Sequence, residues 1–472
     1  MKVYLLNGSP PLRGVKYIRE GRCMQKTSSW SAIWPPVSLA LVASLIRKKS
    51  EVRLVDCNVE SFKKDDLIYD ISTFNPDVLI INTGFPSIGD DMHIVADIKK
   101  TNPKILTIGI GVYFTLLEKQ SIINYPQIDF ACVGEPEFTV KELIDIIEKG
   151  ENDFSRVKGL IYREGNRLVY NGPRNYIENL DILPYPARDL LKNDRYTLPH
   201  NGHPFTLINF CRGCPYPCTF CIAPAYYGRK YRRHSIEYIL GEIKDCIENY
   251  NIRDFLFWGE AFTIDKKFCN AVCGRIIEER LPIAWSTTTR ADTIDEDMLV
   301  KMKQANCQLL GIGIESASQE ILDRAKKQEK VEDLKRAVSL CKKVGIRTMG
   351  HFIFGLPGET RQSAESTIRF IKELRLDYIQ CYNAVPYPKT ELWEYAKRHN
   401  LIESFNWQNY DFGGHSILRT ETLSTEDIDY YRVKAFKSFY LRPSFLLKQL
   451  LIVKPWQLFK PIEFFDWIKM KK

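Results

Sequence analysis

The sequence predicts an α/β protein with two sheet domains in series and a helical C-terminal tail. Short apolar runs alternate with helical patterns over residues 1–150, which is typical of a parallel sheet with crossover helices. The same alternation resumes after residue 205. A chain of 472 residues is also too long for one ordinary core, so two or three domains are expected.

The first domain, residues 1–150, is predicted to be a flavodoxin-like (Rossmann-like), doubly wound sheet. Its strands are expected at residues 3–6, 52–55, 78–82, 105–110 and 130–133, and helices at residues 36–47, 90–100 and 139–149. Ligands of such sheets bind beyond the carboxyl ends of the strands. The loops at those ends contain the small residues Gly8, Ser9, Thr83, Gly84, Gly109 and Gly111.

A hairpin and a linker are predicted at residues 151–200, before a second sheet. The hairpin turns at Gly165 and Asn166, and the proline-rich residues 183–189 mark a domain boundary. A partial (β/α)6 TIM-type barrel is predicted over residues 201–410, with chemistry at the strand C-termini. Its six strands are expected at residues 206–210, 254–258, 283–288, 309–314, 348–354 and 378–384. Residues 411–472 form a C-terminal extension.

Composition limits the class of protein. With 44% hydrophobic and 26% charged residues, the chain has an ordinary globular composition. No apolar run reaches the roughly 18 residues of a membrane span, and the N-terminus lacks the features of a secretory signal. We therefore expect a cytoplasmic protein, in which thirteen cysteines indicate reduced thiols and metal ligation.

Four of the thirteen cysteines fall within residues 211–221, directly after a predicted strand. Cys214, Cys218 and Cys221 have the spacing C-x3-C-x2-C, at which thiolates can wrap one iron–sulfur cubane from a single loop. Three ligands leave one iron open for a substrate or cofactor. The alternative is a zinc knuckle, or a structural four-cysteine site that also uses Cys211.

This segment resembles the radical S-adenosyl-L-methionine (SAM) superfamily, whose C-x3-C-x-aromatic-C loop matches Cys214, Cys218, Phe220 and Cys221. The resemblance implies a [4Fe-4S] cluster on the three cysteines, with SAM chelated by the open iron and cleaved by one electron to methionine and a 5′-deoxyadenosyl radical. It also implies a reducing partner such as a flavodoxin or ferredoxin. Relatives often carry Ser or Thr at the position of Cys211, so Cys211 is not expected to be a ligand.

Other strand ends resemble further SAM-binding segments of that superfamily. The matching segments are residues 258–263, 289–292, 313–316, 353–359 and 385–390, although relatives usually have Gly where Lys389 stands. In this resemblance Glu260 holds the SAM amino group or ribose. The SAM-site residues implied are Phe220, Gly259, Glu260, Arg290, Glu315, Ile353, Gly355 and Pro386. Taken singly, the three charged ones could instead be ion-paired surface groups.

The first domain resembles the cobalamin-binding domain of B12-dependent radical SAM proteins, in residues 35–40, 76–81, 133–139 and 183–189. The resemblance implies cobalamin contacts at Gly8, Ser9, Thr83, Gly84, Gly109, Gly111, Gly134 and Glu135. Two features depart from the family pattern. The usual Gly-Gly pair reads Ile110-Gly111, and the histidine motif that ligates cobalt is absent, so His93 is interpreted as an ordinary helix residue. A domain without cobalamin, serving as a structural or substrate-binding lid, is the alternative.

Together these resemblances cover roughly residues 1–410. They imply a cobalamin-dependent radical SAM methyltransferase acting on an unactivated carbon of a hydrophobic or lipid-like small molecule. One alternative is a radical cyclase or oxidoreductase like the anaerobic porphyrin cyclases. A methylthiotransferase is a further alternative, but Cys23, Cys57 and Cys132 match its N-terminal cluster poorly, and its RNA-binding barrel is not present.

The end of the chain is basic and aromatic. From Arg432 onward, ten Lys and Arg residues stand against Glu463 and Asp466. Such a segment suits peripheral contact with an anionic membrane surface. The alternative is a helical cap over the barrel with solvated lysines. A nucleic-acid partner is not expected, because no RNA-binding module accompanies the segment.

Overall fold

The computed structural model describes residues 1–10, 15–27, 32–443 and 445. The strands are β1 Lys2–Asn7, β2 Tyr17–Glu20, β3 Cys23–Lys26, β4 Glu51–Asp56, β5 Val78–Asn82, β6 Leu106–Ile110, β7 Phe130–Cys132, β8 Leu160–Glu164, β9 Arg167–Tyr170, β10 Phe205–Asn209, β11 Cys211–Arg212, β12 Arg232–Arg233, β13 Asp254–Trp258, β14 Ala284–Thr289, β15 Cys307–Glu315, β16 Arg347–Phe354 and β17 Tyr378–Asn383. The helices are α1 Val37–Ile46, α2 Lys64–Phe74, α3 Ile88–Thr101, α4 Val112–Leu117, α5 Gln120–Ile123, α6 Pro136–Glu148, α7 Ala223–Tyr227, α8 Ile236–Tyr250, α9 Lys266–Glu278, α10 Glu296–Gln304, α11 Gln319–Arg324, α12 Val331–Val344, α13 Arg361–Glu373, α14 Glu391–Arg398 and α15 Thr425–Tyr440. Among the described helices, none is both long enough and apolar enough to cross a bilayer.

The first sheet confirms the flavodoxin-like prediction. Its parallel strands lie in the order β4-β1-β5-β6-β7, and the hairpin β8-β9 extends the sheet in antiparallel pairing. Helices α1 and α6 cover one face, while α2, α3 and α4 cover the other. Each predicted strand of this domain is present, as is the predicted hairpin.

The second sheet confirms the predicted partial barrel. Its six strands are all parallel, in the order β10-β13-β14-β15-β16-β17, and the two end strands do not pair with each other. Along β13, β14 and β16, fully buried residues alternate with partly exposed ones. The buried set packs under the outer helices, so the partly exposed set lines the lumen. Helix α15 packs on the barrel core, whereas most of the basic tail lies outside the described residues.

Buried ion pairs join the two sheets at the carboxyl ends of their strands. Arg212 of the barrel pairs with Glu137 of the first domain at 2.5 Å, and Arg232 pairs with Glu135 at 2.7 Å. All four side chains are buried. Because these contacts hold the strand ends of one domain against those of the other, the sites predicted in each domain are neighbours.

The hairpin β2-β3 lies at this junction and has no counterpart in the sequence-based prediction, which also lacks α2, α4 and α5. All four residues of β2 are buried, although two of them, Arg19 and Glu20, are charged. Arg19 pairs with Asp91 at 3.1 Å, and Glu20 accepts a hydrogen bond from the Ser38 hydroxyl at 2.5 Å. A buried strand is usually recognised by apolar residues at every second position. In β2 the buried charged side chains are instead stabilised by polar partners.

A buried carboxyl group holds the turn after β16. The Gly355 N–H donates to Oε2 of Glu359 at 2.5 Å, and Gly355 has φ +88°, in the region that favours glycine. Burial raises the pKa of Glu359 to about 8. The folded protein therefore keeps this carboxyl group largely protonated at neutral pH.

We expect Glu359→Gln to remove a pH dependence of stability. The folded state keeps the Glu359 proton up to about pH 8, whereas the unfolded chain releases it near pH 4.5. The unfolding free energy should thus fall as pH rises through this window, by at most about 1.4 kcal/mol per pH unit. Urea denaturation of Glu359→Gln and wild type from pH 5 to 8 should show a difference that grows with pH. The exposed Glu373→Gln should run parallel to wild type, and a constant difference for Glu359→Gln would contradict the assignment.

Candidate metal and cofactor site

The three clustered cysteines lie on a loop that is closed at its base. Strands β11 and β12 pair antiparallel on either side of the loop. Gly213 follows β11 with φ +87°, and a Cβ atom there would overlap the carbonyl oxygen of Lys230, so glycine is required. At the far side, the Thr219 N–H donates to the Ala325 carbonyl at 3.0 Å, and the Leu392 N–H donates to the Thr219 carbonyl at 2.9 Å. Both ends of the loop are thus fixed to the barrel.

Cys214, Cys218 and Cys221 are partly buried, and their thiols are free of disulfides. Burial raises the pKa of each thiol, that of Cys221 to about 12. Cations oppose this effect: Arg22 acts on Cys214 and Cys221, while Lys327 and Arg290 act on Cys218. Clustered thiols that interact with one another and have cations beside them fit an iron–sulfur cluster. Within the described residues, no three His, Cys, Asp or Glu side chains are grouped as they would be around a single metal ion.

Cys211 lies apart from the loop, on strand β11. Its side chain is buried, and its Sγ accepts a hydrogen bond from the Glu260 N–H at 3.4 Å. A Cβ atom on Gly259 would lie 2.6 Å from this sulfur and 2.7 Å from the Phe210 ring, so Gly259 permits this close packing. The contacts of Gly259 are therefore with the protein core behind the loop.

A buried network of ion pairs lies beside Cys218. Lys327 Nζ is 2.9 Å from Glu315 and 3.3 Å from Glu329, while Arg290 pairs with Asp292 at 2.9 Å and stacks over the Tyr216 ring at 3.6 Å. Although burial works against its charge, Glu315 and Glu329 raise the pKa of Lys327 above its usual range. The structure thus brings the predicted Arg290 and Glu315 together around a lysine.

Glu315 has a strained backbone. Its φ is +62°, which is rare for a residue other than Gly, Asn or Asp, and the pairing of β15 with β16 shifts register between Gly313 and Glu315. Strain of this kind persists where the surrounding structure imposes it, and it is concentrated at functional sites. The bulge directs the Glu315 carboxylate to Lys327 at the end of the strand.

Glu260 lies at the end of β13 and pairs with a residue of the other domain. Arg22, in the turn of the β2-β3 hairpin, donates its Nε–H to Oε2 of Glu260 at 2.6 Å. The Arg22 guanidinium also lies over the Trp258 ring at 5.1 Å. The Glu260 side chain is 3% exposed and the Arg22 side chain is 23% exposed, so the solvent-accessible part of this ion pair is on the arginine.

The remaining predicted SAM residues lie in the cysteine loop and at the ends of β16 and β17. Phe220 and Ile353 belong to one apolar cluster, close to the Gly355 turn, and Pro386 is buried after β17. Lys389 adopts φ +65°, the conformation that glycine favours, and its Nζ binds the Thr115 carbonyl of the first domain at 3.0 Å. The departure from glycine at this position thus adds a contact between the domains.

The hairpin covers several residues predicted to bind cobalamin. A Cβ atom on Gly8 would overlap the Arg19 guanidinium, and one on Gly84 would lie 2.9 Å from Met24. The Ser9 N–H donates to Asp91 at 2.8 Å, and the Thr83 hydroxyl donates to the same carboxylate. In this arrangement the positions beside Gly8 and Gly84 do not fit a corrin, because hairpin side chains already fill them.

The other predicted cobalamin residues have mixed surroundings. The Phe114 ring fills the space beside Gly109, and Gly111 lines a void of about 20 Å³. Gly134 has no atom within 4 Å of the position a Cβ would take. Glu135 is engaged by Arg212 and Arg232, whose charges outweigh the effect of burial and lower its pKa. The carboxylate of Glu135 therefore holds the base of the cysteine loop.

The barrel lumen presents neutral polar side chains. Thr288 and His351 flank Gly311, and Nδ1 of His351 lies 3.4 Å from the Tyr382 hydroxyl, which also bonds to Gln380. Burial lowers the pKa of His351 to about 4, so its ring is uncharged at neutral pH. These side chains can bind an uncharged molecule by hydrogen bonds.

Sequence reasoning missed Arg22, Lys327, Glu329 and His351. Lys327 and Glu329 belong to a charged run that is typical of a solvated surface, and Arg22 lies in a polar hairpin far from every motif. Alternation of exposure along β16 could have identified His351 as a lumen residue, but only once the strand was placed. Nothing in the sequence signals the other three.

Comparison with known proteins identifies two segments. Residues 208–371 match the Radical SAM superfamily, and residues 28–144 match the B12 binding domain. An uncharacterized methyltransferase of Pyrococcus horikoshii is 34% identical over 416 residues, which covers 88% of this chain and 90% of that protein.

More distant relatives have named reactions. The anaerobic magnesium-protoporphyrin IX monomethyl ester cyclase of Rubrivivax gelatinosus is 26% identical over 420 residues, covering 88% of this chain and 75% of that protein. The hopanoid C-3 methylase of Methylococcus capsulatus is 24% identical over 393 residues, which covers 82% of this chain and 72% of that protein. The solved structure of TsrM from Kitasatospora setae, a radical S-adenosylmethionine methyltransferase with cobalamin and a [4Fe-4S] cluster bound, is similar with a TM-score of 0.68 at 18% identity, covering 86% of this chain and 76% of that one. This likeness shows a shared fold.

We expect Cys218→Ala to abolish cluster assembly and Cys211→Ser to retain it. Removal of one of three thiolates leaves too few ligands, whereas the Cys211 sulfur is committed to the Glu260 backbone. Iron and sulfide content after anaerobic reconstitution, with the optical spectrum, measures the difference. Equal iron loss in both variants would favour the four-cysteine alternative.

Loss of Lys327 should destabilise the protein. Lys327→Met leaves Glu315 buried without its cation and leaves Glu329 to the more distant Arg290 at 4.0 Å, which costs about 3 kcal/mol for a buried pair. Urea denaturation at neutral pH measures the change. The neighbouring Lys326→Met, whose pair with Glu391 is half exposed, should change stability by less than about 1 kcal/mol. Similar effects of the two substitutions would show that the network is not desolvated.

Proposed function

Because this chain belongs to the radical SAM superfamily and carries a B12-binding domain, we propose that it is a cobalamin-dependent methyltransferase that methylates an unactivated carbon of a hydrophobic or lipid-like small molecule. The observation that carries the proposal is the position of the cysteine loop. Its three thiols lie at the barrel mouth, and the base of the same loop is bound to the B12-binding domain.

In this proposal Cys214, Cys218 and Cys221 hold a [4Fe-4S] cluster, which would supply the electron that cleaves SAM. Glu260 binds the SAM amino group or ribose, because an ionised carboxylate is an acceptor only and both groups offer N–H or O–H donors. Arg290 and Glu315 hold the neighbouring polar groups, and the Lys327 network fixes their orientation. Phe220, Ile353 and Gly355 form the adenine side of the site, while Gly259 lets the β13 end pack on Cys211.

The lumen supports an uncharged substrate. His351, Thr288 and Tyr382 offer hydrogen bonds without net charge, because His351 is neutral at physiological pH. A mostly apolar molecule with one hydroxyl or carbonyl group suits such a lining. The relative named for a hopanoid methylase is consistent with this class of substrate.

Cobalamin is the proposed cofactor of the first domain, in the loops that contain Gly111 and Gly134. The sides of Gly8 and Gly84 are filled by Arg19 and Met24, so these two positions are not assigned to the corrin. A reduced flavodoxin or ferredoxin is the proposed electron donor. Peripheral membrane contact is assigned to the basic tail, which lies outside the described residues except for its first part.

A radical cyclase is the second candidate. It is favoured by the similarity to the magnesium-protoporphyrin cyclase over 88% of this chain. Both reactions begin with SAM cleavage, so the site residues are shared, and only the fate of the SAM methyl group distinguishes them.

The test is transfer of labelled methyl from SAM. We expect anaerobically reconstituted protein, supplied with reductant, hydroxocobalamin, methyl-labelled SAM and a neutral-lipid extract of the producing cells, to place label in an organic-soluble product. The measurement is radioactivity in the organic phase, with 5′-deoxyadenosine quantified in parallel. Cys218→Ala, which lacks the cluster, is the control and should give neither signal.

Two outcomes would contradict methylation. Production of 5′-deoxyadenosine that depends on the extract, without labelled product, would favour the cyclase. Absence of SAM cleavage in protein that has a full cluster would overturn both candidates.

A further inference from the structure

Arg22 brings a cation from the first domain to the mouth of the barrel. Its guanidinium is bound on one side by Glu260 at 2.6 Å and packs over Trp258. Through its N–H, Glu260 is also bound to the sulfur of Cys211, three residues before Cys214, so Arg22 lies close to the segment that leads into the cysteine loop. No sequence motif and no family resemblance assigns a role to this residue.

The hairpin that carries Arg22 is rigidly attached. Arg19 donates to Ser87 at 3.0 Å and to Asp91 at 3.1 Å, which fastens β2 to the first sheet. Glu20 accepts hydrogen bonds from Ser38 and, at 2.8 Å, from Asn209 at the end of β10. Arg22 follows these two anchors in the hairpin turn, so its backbone is held close to both domains.

One side of the Arg22 guanidinium remains available. Nε–H is used by Glu260, and among the residues that the structure describes the two terminal nitrogens have no hydrogen-bond acceptor. The Arg22 side chain is 23% exposed, so it is accessible from the open side of its pair with Glu260. Planar guanidinium groups with parallel N–H bonds bind carboxylates in a bidentate manner.

Resting on the SAM site of the proposed function, we propose that Arg22 binds the carboxylate of SAM, and that the first domain therefore completes the SAM site of the barrel. Glu260 accepts a hydrogen bond from the amino group of the same amino acid moiety, and Arg22 faces the carboxylate from the adjacent position. The pair thus offers an acceptor to the amino N–H and donors to the carboxylate oxygens. The pairing of Arg22 with Glu260 also keeps either group from being buried alone before SAM arrives.

Arg22 could instead act only by orienting Glu260, or it could bind an anionic group of the substrate. An orienting role predicts equal losses for every ligand that uses Glu260. A substrate role predicts no change in SAM binding. SAM and decarboxylated SAM, which differ by the carboxylate alone, separate these cases.

The experiment measures dissociation constants of both ligands by anaerobic equilibrium dialysis on cluster-loaded, full-length protein. For Arg22→Met we expect SAM binding to weaken by about 10-fold to 100-fold, as for a lost charge-assisted bond, and decarboxylated SAM binding to change less than about threefold. Arg22→Lys keeps the positive charge but loses the two parallel N–H donors of the guanidinium, so its affinity for SAM should lie between those of wild type and Arg22→Met. Arg369→Met, on the outer face of α13, is the control for loss of one positive charge.

The double variant Arg22→Met/Glu260→Gln leaves no unpaired charge, so it keeps the test valid where the single variant folds poorly. In a Glu260→Gln background the same preferential loss of SAM is expected. Equal weakening of both ligands, or no change in either, would overturn the proposal while leaving the proposed function intact. Failure of the cluster-loaded wild type to bind SAM would overturn the proposed function as well.

Discussion

The structure depends on the buried ion pairs that join Arg212 and Arg232 to Glu137 and Glu135. These arginines lie on the two short strands that close the cysteine loop, and the glutamates lie at the start of α6 in the first domain. Buried charges are costly unless they are fully paired. Here the cost is offset only when both domains are docked, so the geometry of the cysteine loop is tied to the docking of the B12-binding domain.

The seam between the domains has an apolar part and a polar part. In the apolar part Phe85 of the first domain packs against Tyr387 and Tyr410, at ring-centroid distances of 5.3 and 5.8 Å. In the polar part Glu20 and Arg22 of the hairpin bind Asn209 and Glu260 of the barrel. Hydrophobic packing is tolerant of small shifts, while hydrogen-bonded charges demand specific distances. The polar part of the seam therefore sets the relative position of the two domains more exactly than the apolar part alone would.

Periodicity in the sequence predicted the two sheets, and spacing predicted three clustered cysteines on one loop. Strands such as β5 are continuous apolar runs, strands such as β14 alternate in burial, and the cysteines are close together in the chain, so these features are visible in one dimension. Lys327 and Arg22 are different, because Lys327 acquires its role from a bulge that turns Glu315 toward it, and Arg22 from Glu260 in the other domain. The buried hairpin was invisible for the same reason: its stability comes from Asp91, Ser38 and Asn209, and not from its own pattern.

The attachment of the loop base to α6 also limits how molecules enter. A hinge-like separation of the two domains would expose Glu135, Glu137, Arg212 and Arg232 together and would distort the loop that they support. Separation of the two domains as rigid bodies is therefore energetically unfavourable as a way for ligands to enter. Large ligands must reach the interior by local rearrangement of covering segments, or through the gap between β10 and β17 where the barrel is not closed. Either route leaves the protein structure around the cysteines unchanged throughout a catalytic cycle.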